Sequence, residues 1–71
     1  MKTKIKPELA DLLKKAKTFL VECDPTQAMN TLTQALRGEM DLDTRKQIEK
    51  ARDEAHLGDP IVAEILLEEL L

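Results

Sequence analysis

Leu13–Leu36 reads LKKAKTFLVECDPTQAMNTLTQAL, and thirty-five positions later Ile48–Leu71 reads IEKARDEAHLGDPIVAEILLEELL. In that register Lys15, Ala16, Asp24, Pro25, Ala28, Leu32 and Leu36 meet Lys50, Ala51, Asp59, Pro60, Ala63, Leu67 and Leu71. Leu13 with Ile48, Lys17 with Arg52 and Ala35 with Leu70 add conservative pairs. A period in the mid-thirties is the mark of helical units that bury their apolar faces by stacking on one another.

Around the repeated stretch the chain divides into four helices with short joints. Pro7 suits the first turn of a helix from about Glu8 to Glu22, whose Leu9, Leu12, Leu13, Ala16, Phe19 and Leu20 form one apolar stripe. Asp24 before Pro25 is a start signal, because the carboxylate can accept first-turn amides and proline sits where no amide donor is needed. The second helix then runs to about Leu36, buries Ala28, Leu32 and Ala35, and ends at Gly38. Asp43 is expected to cap a third helix reaching about His56, with the thin stripe Ile48, Ala51 and Ala55. Gly58 stops it, and Asp59 with Pro60 opens a fourth helix that runs to the end of the sequence. Connections this short force antiparallel neighbours. The expected fold is all-α, four antiparallel helices arranged as two stacked helix-turn-helix hairpins, with a basic flexible tail over residues 1–7 and one domain over 8–71. Its units span about 9–38 and 43–71.

Composition agrees with a helical chain and bounds its stability. Of 71 residues 35% are charged, two are glycine and one, Phe19, is aromatic, so the core is aliphatic. A chain this short buries only roughly 60% of the surface it exposes when unfolded, which leaves a stability of about a few kcal/mol. A single cysteine, Cys23, allows no internal disulfide, and with one histidine beside it a zinc site built within the chain is not expected.

Charge is distributed unevenly. Residues 1–17 hold six lysines against Glu8 and Asp11, and residues 18–71 hold five basic against twelve acidic residues, so the head is plus four and the remainder minus seven. An acidic body repels a phosphate backbone, so no nucleic-acid partner is expected, and Lys2, Lys4 and Lys6 read as a solvated tail. Glu8, Asp11, Lys14 and Lys15 interrupt any signal-peptide core, and no window is long and apolar enough for a membrane span. A soluble, cytoplasmic protein is expected; a piece of a longer secreted or membrane protein would carry the same pattern.

These residues resemble the tetratricopeptide repeat (TPR) family. Leu12, Ala16 and Phe19 match the large-small-large pattern of the family's first helix, Cys23 and Asp24 its turn, and Ala28, Leu32 and Ala35 its second helix. In the second unit Ala51, Gly58, Asp59, Ala63 and Leu67 fit, whereas Gln47 and Glu54 stand where bulky residues belong and Leu70 replaces an alanine. A plain four-helix bundle is the alternative. What the resemblance implies is peptide or protein binding in a concave groove lined by Leu13, Lys17, Leu20, Arg45, Ile48, Arg52 and His56. Lys17, Arg45 and Arg52 would then face an acidic segment of the partner; the other reading is that these cations solvate an exposed helix face.

Helix four offers a second surface, because eight of the eleven residues Ile61–Leu71 are apolar, more than one inward face needs. Ile61, Ile65, Leu66 and Leu70 are the candidates there. A stack of two units without a polar capping helix is expected to be covered by a second copy, by a partner, or by the first helix folding back. No catalytic constellation stands out: the threonines have no base beside them, and the adjacent Glu68 and Glu69 point to different faces. Cys23 reads as turn filling, and His56 as a helix C-terminal cap. Neither an enzyme, a cofactor, a metal nor a small-molecule substrate is expected. The expected function is a protein-binding adaptor or chaperone-like module for an acidic or apolar segment. The alternatives are a small acidic inhibitor of immunity type or a homo-oligomeric structural unit, a homodimer for instance.

Overall fold

A computed structural model describes residues 5–71. Asp24 and Asp59 organise it as their sequence context implies: each side chain accepts a hydrogen bond from the amide three residues on, Gln27 or Val62, at 3.3 Å. Each is followed by proline at the first helical position. The residue ahead of each aspartate is left-handed, with φ 61 at Cys23 and φ 91 at Gly58. That twist lets the Asp24 amide reach the Phe19 carbonyl at 2.8 Å and the Cys23 amide reach Leu20 at 3.2 Å. The second turn repeats the pattern, Asp59 to Glu54 at 2.9 Å and Gly58 to Ala55 at 3.2 Å. Two adjoining residues thus end one helix with a left-handed cap and start the next with a side-chain cap.

Among the described residues the chain forms α1 (Pro7–Val21), α2 (Pro25–Leu36), α3 (Leu42–His56) and α4 (Pro60–Leu70), and no strand. The architecture is four antiparallel helices in two stacked helical hairpins, α1 with α2 and α3 with α4. Helix α2 ends at Leu36 as expected, while local details differ from expectation in three places. Gly38 is not left-handed. Its amide still donates to the Ala35 carbonyl at 3.1 Å, and Arg45 adds to the end of α2, its guanidinium donating to the Leu36 carbonyl at 2.8 Å and the Gly38 carbonyl at 3.2 Å. Helix α3 begins at Leu42 with Asp41 in the capping position, so Asp43 lies in the first turn, where its charge still favours the helix dipole. Finally, α1 already includes Pro7, and Ile5 is half-buried against the core, so the segment ahead of the helix is shorter than expected; Lys2 and Lys4 lie outside the described residues.

The core is built from one large and one small side chain per helix. Leu13, Leu32, Ile48 and Leu67 are fully buried, and so are Ala16, Ala28, Ala51 and Ala63. Each set consists of two pairs thirty-five apart. Burying a leucine or isoleucine side chain contributes about 1.5–3 kcal/mol, and the alanines let the helix backbones approach closely enough for it.

The two hairpins close on each other. Helix α2 packs on α3 and α1 packs on α4, while the diagonal pairs barely touch. The ring maps onto itself if α1 is exchanged for α3 and α2 for α4. Polar contacts across the two inter-hairpin seams follow the same exchange. Lys17 of α1 pairs with Glu68 of α4, and Arg52 of α3 donates to the Thr33 hydroxyl of α2 at 3.4 Å. Lys17 and Arg52 stand thirty-five apart, as do Thr33 and Glu68. An end left bare for a second molecule is therefore not what the fold provides, because the first helix covers the last. The result measures 27 × 19 × 16 Å.

Candidate interaction surface

The seam geometry decides which of the groove candidates share a surface. Leu13, Leu20 and Ile48 are core residues and cannot line a groove while the ring is closed, which corrects their assignment from sequence. Lys17 lies on the α1–α4 seam with Glu68. Arg45 and Arg52 lie on the α2–α3 seam, one holding the end of α2 and the other on Thr33. His56, the last residue of α3, is exposed. The three cations thus sit on two different seams, each with an acceptor from the chain itself. Their joint action on one acidic segment has no geometric support, because a shared groove needs α1 and α3 as direct neighbours.

On α4 the candidates divide by helical spacing. Leu70 is buried, and Leu66 is half-buried against the core, which removes both from an outer face. Ile61 and Ile65, one turn apart, point outward with 68% and 50% of their surface exposed. Two further large apolar side chains are exposed. Leu57, in the turn entering α4, is 76% exposed, and Val21, at the end of α1, is 62% exposed. Val21 lies one helical turn beyond Lys17 and so on the flank of α1 that meets α4. Three of the five large apolar residues left exposed, Leu57, Ile61 and Ile65, thus lie on α4 or in the turn before it; Val21 lines a recess with Lys14, Lys17, Thr18 and Leu71, and Leu42 starts α3. Neither Val21 nor Leu57 was singled out from sequence, since single apolar residues at helix ends carry no periodic signal.

Beside this ridge lies a shallow apolar recess of about 290 Å³ between the two interhelix turns, lined by Leu20, Cys23, Pro25, Ala55, Gly58 and Pro60. Its walls are three pairs thirty-five apart, so it sits at the end of the molecule where the two interhelix turns adjoin. Cys23 is exposed at its rim as a free thiol.

Polar side chains fix the flanks of α4. Gln47 of α3 donates to the Leu66 carbonyl at 2.8 Å and to Glu69 at 2.9 Å. Where sequence comparison within the chain places a bulky residue, the structure uses an amide to tie α3 to α4. Thr44 is fully buried, its hydroxyl without a hydrogen-bond partner among the described residues, at the position matching Leu9 in the first hairpin. No group of three metal-ligating side chains is present among the described residues. Against known families, curated proteins and solved structures, the chain gives no match.

Proposed function

We propose that this chain is a protein–protein interaction module, a small adaptor or chaperone-like protein that holds a peptide or helix of a partner against the outer face of α4. The observation that carries this reading is the exposure of Ile61 and Ile65, one turn apart on α4, with Leu57 just ahead of that helix, on a molecule whose other large apolar residues are mostly buried or half-buried. Contiguous exposed apolar patches on small proteins mark interaction sites more often than scattered single residues do. Kinship with the TPR family belongs to the same reading. Its support is the left-handed residue followed by aspartate and proline in both hairpins, with alanines at the helix contacts. The ring closure departs from the open array of that family and moves binding from the expected groove to α4. The reading sets the protein in the cytoplasm, and no described helix is long and apolar enough to cross a membrane.

The test pairs affinity capture by the intact chain with capture by the Ile61→Ser, Ile65→Ser double variant. Both positions are exposed, so the variant should keep the helical content and thermal midpoint of the parent. A partner retained by the parent and lost by the variant is the expected result. Identical captures would sink the reading, as would gel filtration with light scattering showing that the apolar ridge is consumed by self-association.

A further inference from the structure

The three joints of the ring are built differently. Between α1 and α2, and again between α3 and α4, a left-handed residue, an aspartate cap and a proline fix the turn. The connection over residues 37–41 has none of these: no residue there is left-handed, Asp41 makes no side-chain cap bond, and α3 opens on Leu42. Arg45 donates to the Gly38 carbonyl at 3.2 Å, an exposed bond. Each hairpin is therefore a tightly joined unit, and the connection between the units is the weakly specified one.

The surfaces that the hairpins present to each other select unlike partners. Around the recess between the two turns, Leu20 of the first hairpin and Ala55 of the second hold equivalent places. Two first hairpins would bring two leucines there and two second hairpins two alanines, overfilling the site or leaving a void. Nothing in that selection requires both hairpins to belong to one chain. Lys17 with Glu68, Arg52 with Thr33 and Arg45 with Leu36 re-form equally well between two molecules. Only the 37–41 connection changes, from a bend to an extended link. Reciprocal exchange closes as a two-fold dimer of two rings and leaves no hairpin unpaired. A short flexible connection holds its own partner at an effective concentration of about 1 mM, so a second copy competes in that range. We infer that the seam surface of each hairpin is a docking surface for the complementary hairpin of a second copy, with the 37–41 connection deciding between closed monomer and hairpin-exchanged dimer. Exchange uses the seams and not the outer face of α4, so it stands apart from the binding proposed for that face.

The test uses two full-length chains, both carrying Cys23→Ser, one with Lys17→Cys and the other with Glu68→Cys. Unfolded together, refolded at about 1 mM and then diluted into a short bismaleimide, they should give a covalent product of one chain with the other. Refolding at about 0.01 mM, well below the effective concentration of the connection, should give almost none. Mixing the two chains already folded should also give little, because exchange needs the core to open. A second variant, Gly38→Ala, Glu39→Ala, Met40→Ala, Asp41→Ala, favours one continuous helix through the connection. It should scatter light as a dimer at concentrations where the parent is a monomer, with the helical content of the parent or more. Absence of the two-chain product after refolding at the higher concentration would overturn the inference, and so would a folded alanine variant that stays monomeric. An equal yield from chains mixed without unfolding would mean association through outer surfaces and would overturn it too. The Ile61→Ser, Ile65→Ser substitutions should leave the exchange yield unchanged; its loss would assign the dimer to the outer face of α4 and sink the exchange.

Discussion

Cys23 holds φ 61, where an L side chain crowds its own backbone, and its counterpart Gly58 holds φ 91 free of that cost. Nothing lies within 4 Å of a β-carbon built at Gly58, so any penalty there is conformational rather than steric. Cys23→Gly should therefore stabilise the protein by about 0.5–1 kcal/mol, and Gly58→Ala should destabilise it by about 1 kcal/mol, as read from urea midpoints. Equal and small effects at both sites would mean that the two turns do not share the left-handed cap. The position was legible in sequence as a turn because aspartate and proline follow it. That cysteine itself takes the left-handed conformation was not, since cysteine is an uncommon choice for that place.

At the scale of the element, the most informative signals were those that act within one helical turn. Asp24 and Asp59 each accept the amide of the third residue on, so the starts of α2 and α4 follow from four consecutive residues. Asp24→Ala should cost about 1 kcal/mol and speed amide exchange in the first turn of α2, whereas Asp24→Asn, which keeps an acceptor, should lose only a fraction of that. Loss of the same stability in both variants would assign the effect to charge at the helix dipole rather than to the cap. The start of α3 was harder to place because Asp41 and Asp43 flank it, and either can serve a helix N-terminus. The end of α2 lies at Leu36 as expected, but the guanidinium that also holds its last carbonyls, that of Arg45, comes from the next helix. A cap delivered across a loop leaves no local signature.

For the molecule as a whole, the consequential feature is that α1 packs against α4, with Lys17 beside Glu68. An exposed ion pair of this kind contributes about 0–1 kcal/mol, so it marks the seam rather than holding it; the buried leucines and alanines do that. Cysteines introduced as Lys17→Cys and Glu68→Cys, in a Cys23→Ser background, should be joined within one chain by a short bismaleimide. The link should raise stability by at most about 4 kcal/mol, because it closes a long loop in the unfolded state. An open stack with α1 away from α4 would give no intramolecular product, and that outcome would restore a groove between α1 and α3.

The sequence by itself determined four helices, the two aspartate–proline turns, the pairing of positions thirty-five apart and most of the core. Those properties are periodic or local, carried by residues within a few positions of one another. Only the tertiary structure decided how the two hairpins are related. The same internal similarity serves a stack that extends and a ring that closes, and the choice depends on which side of α1 meets α4, a contact between residues some fifty positions apart. That choice buries Leu13, Leu20, Ile48 and Leu70 and divides the cations between two seams. It leaves Ile61 and Ile65 exposed on the outer face of α4.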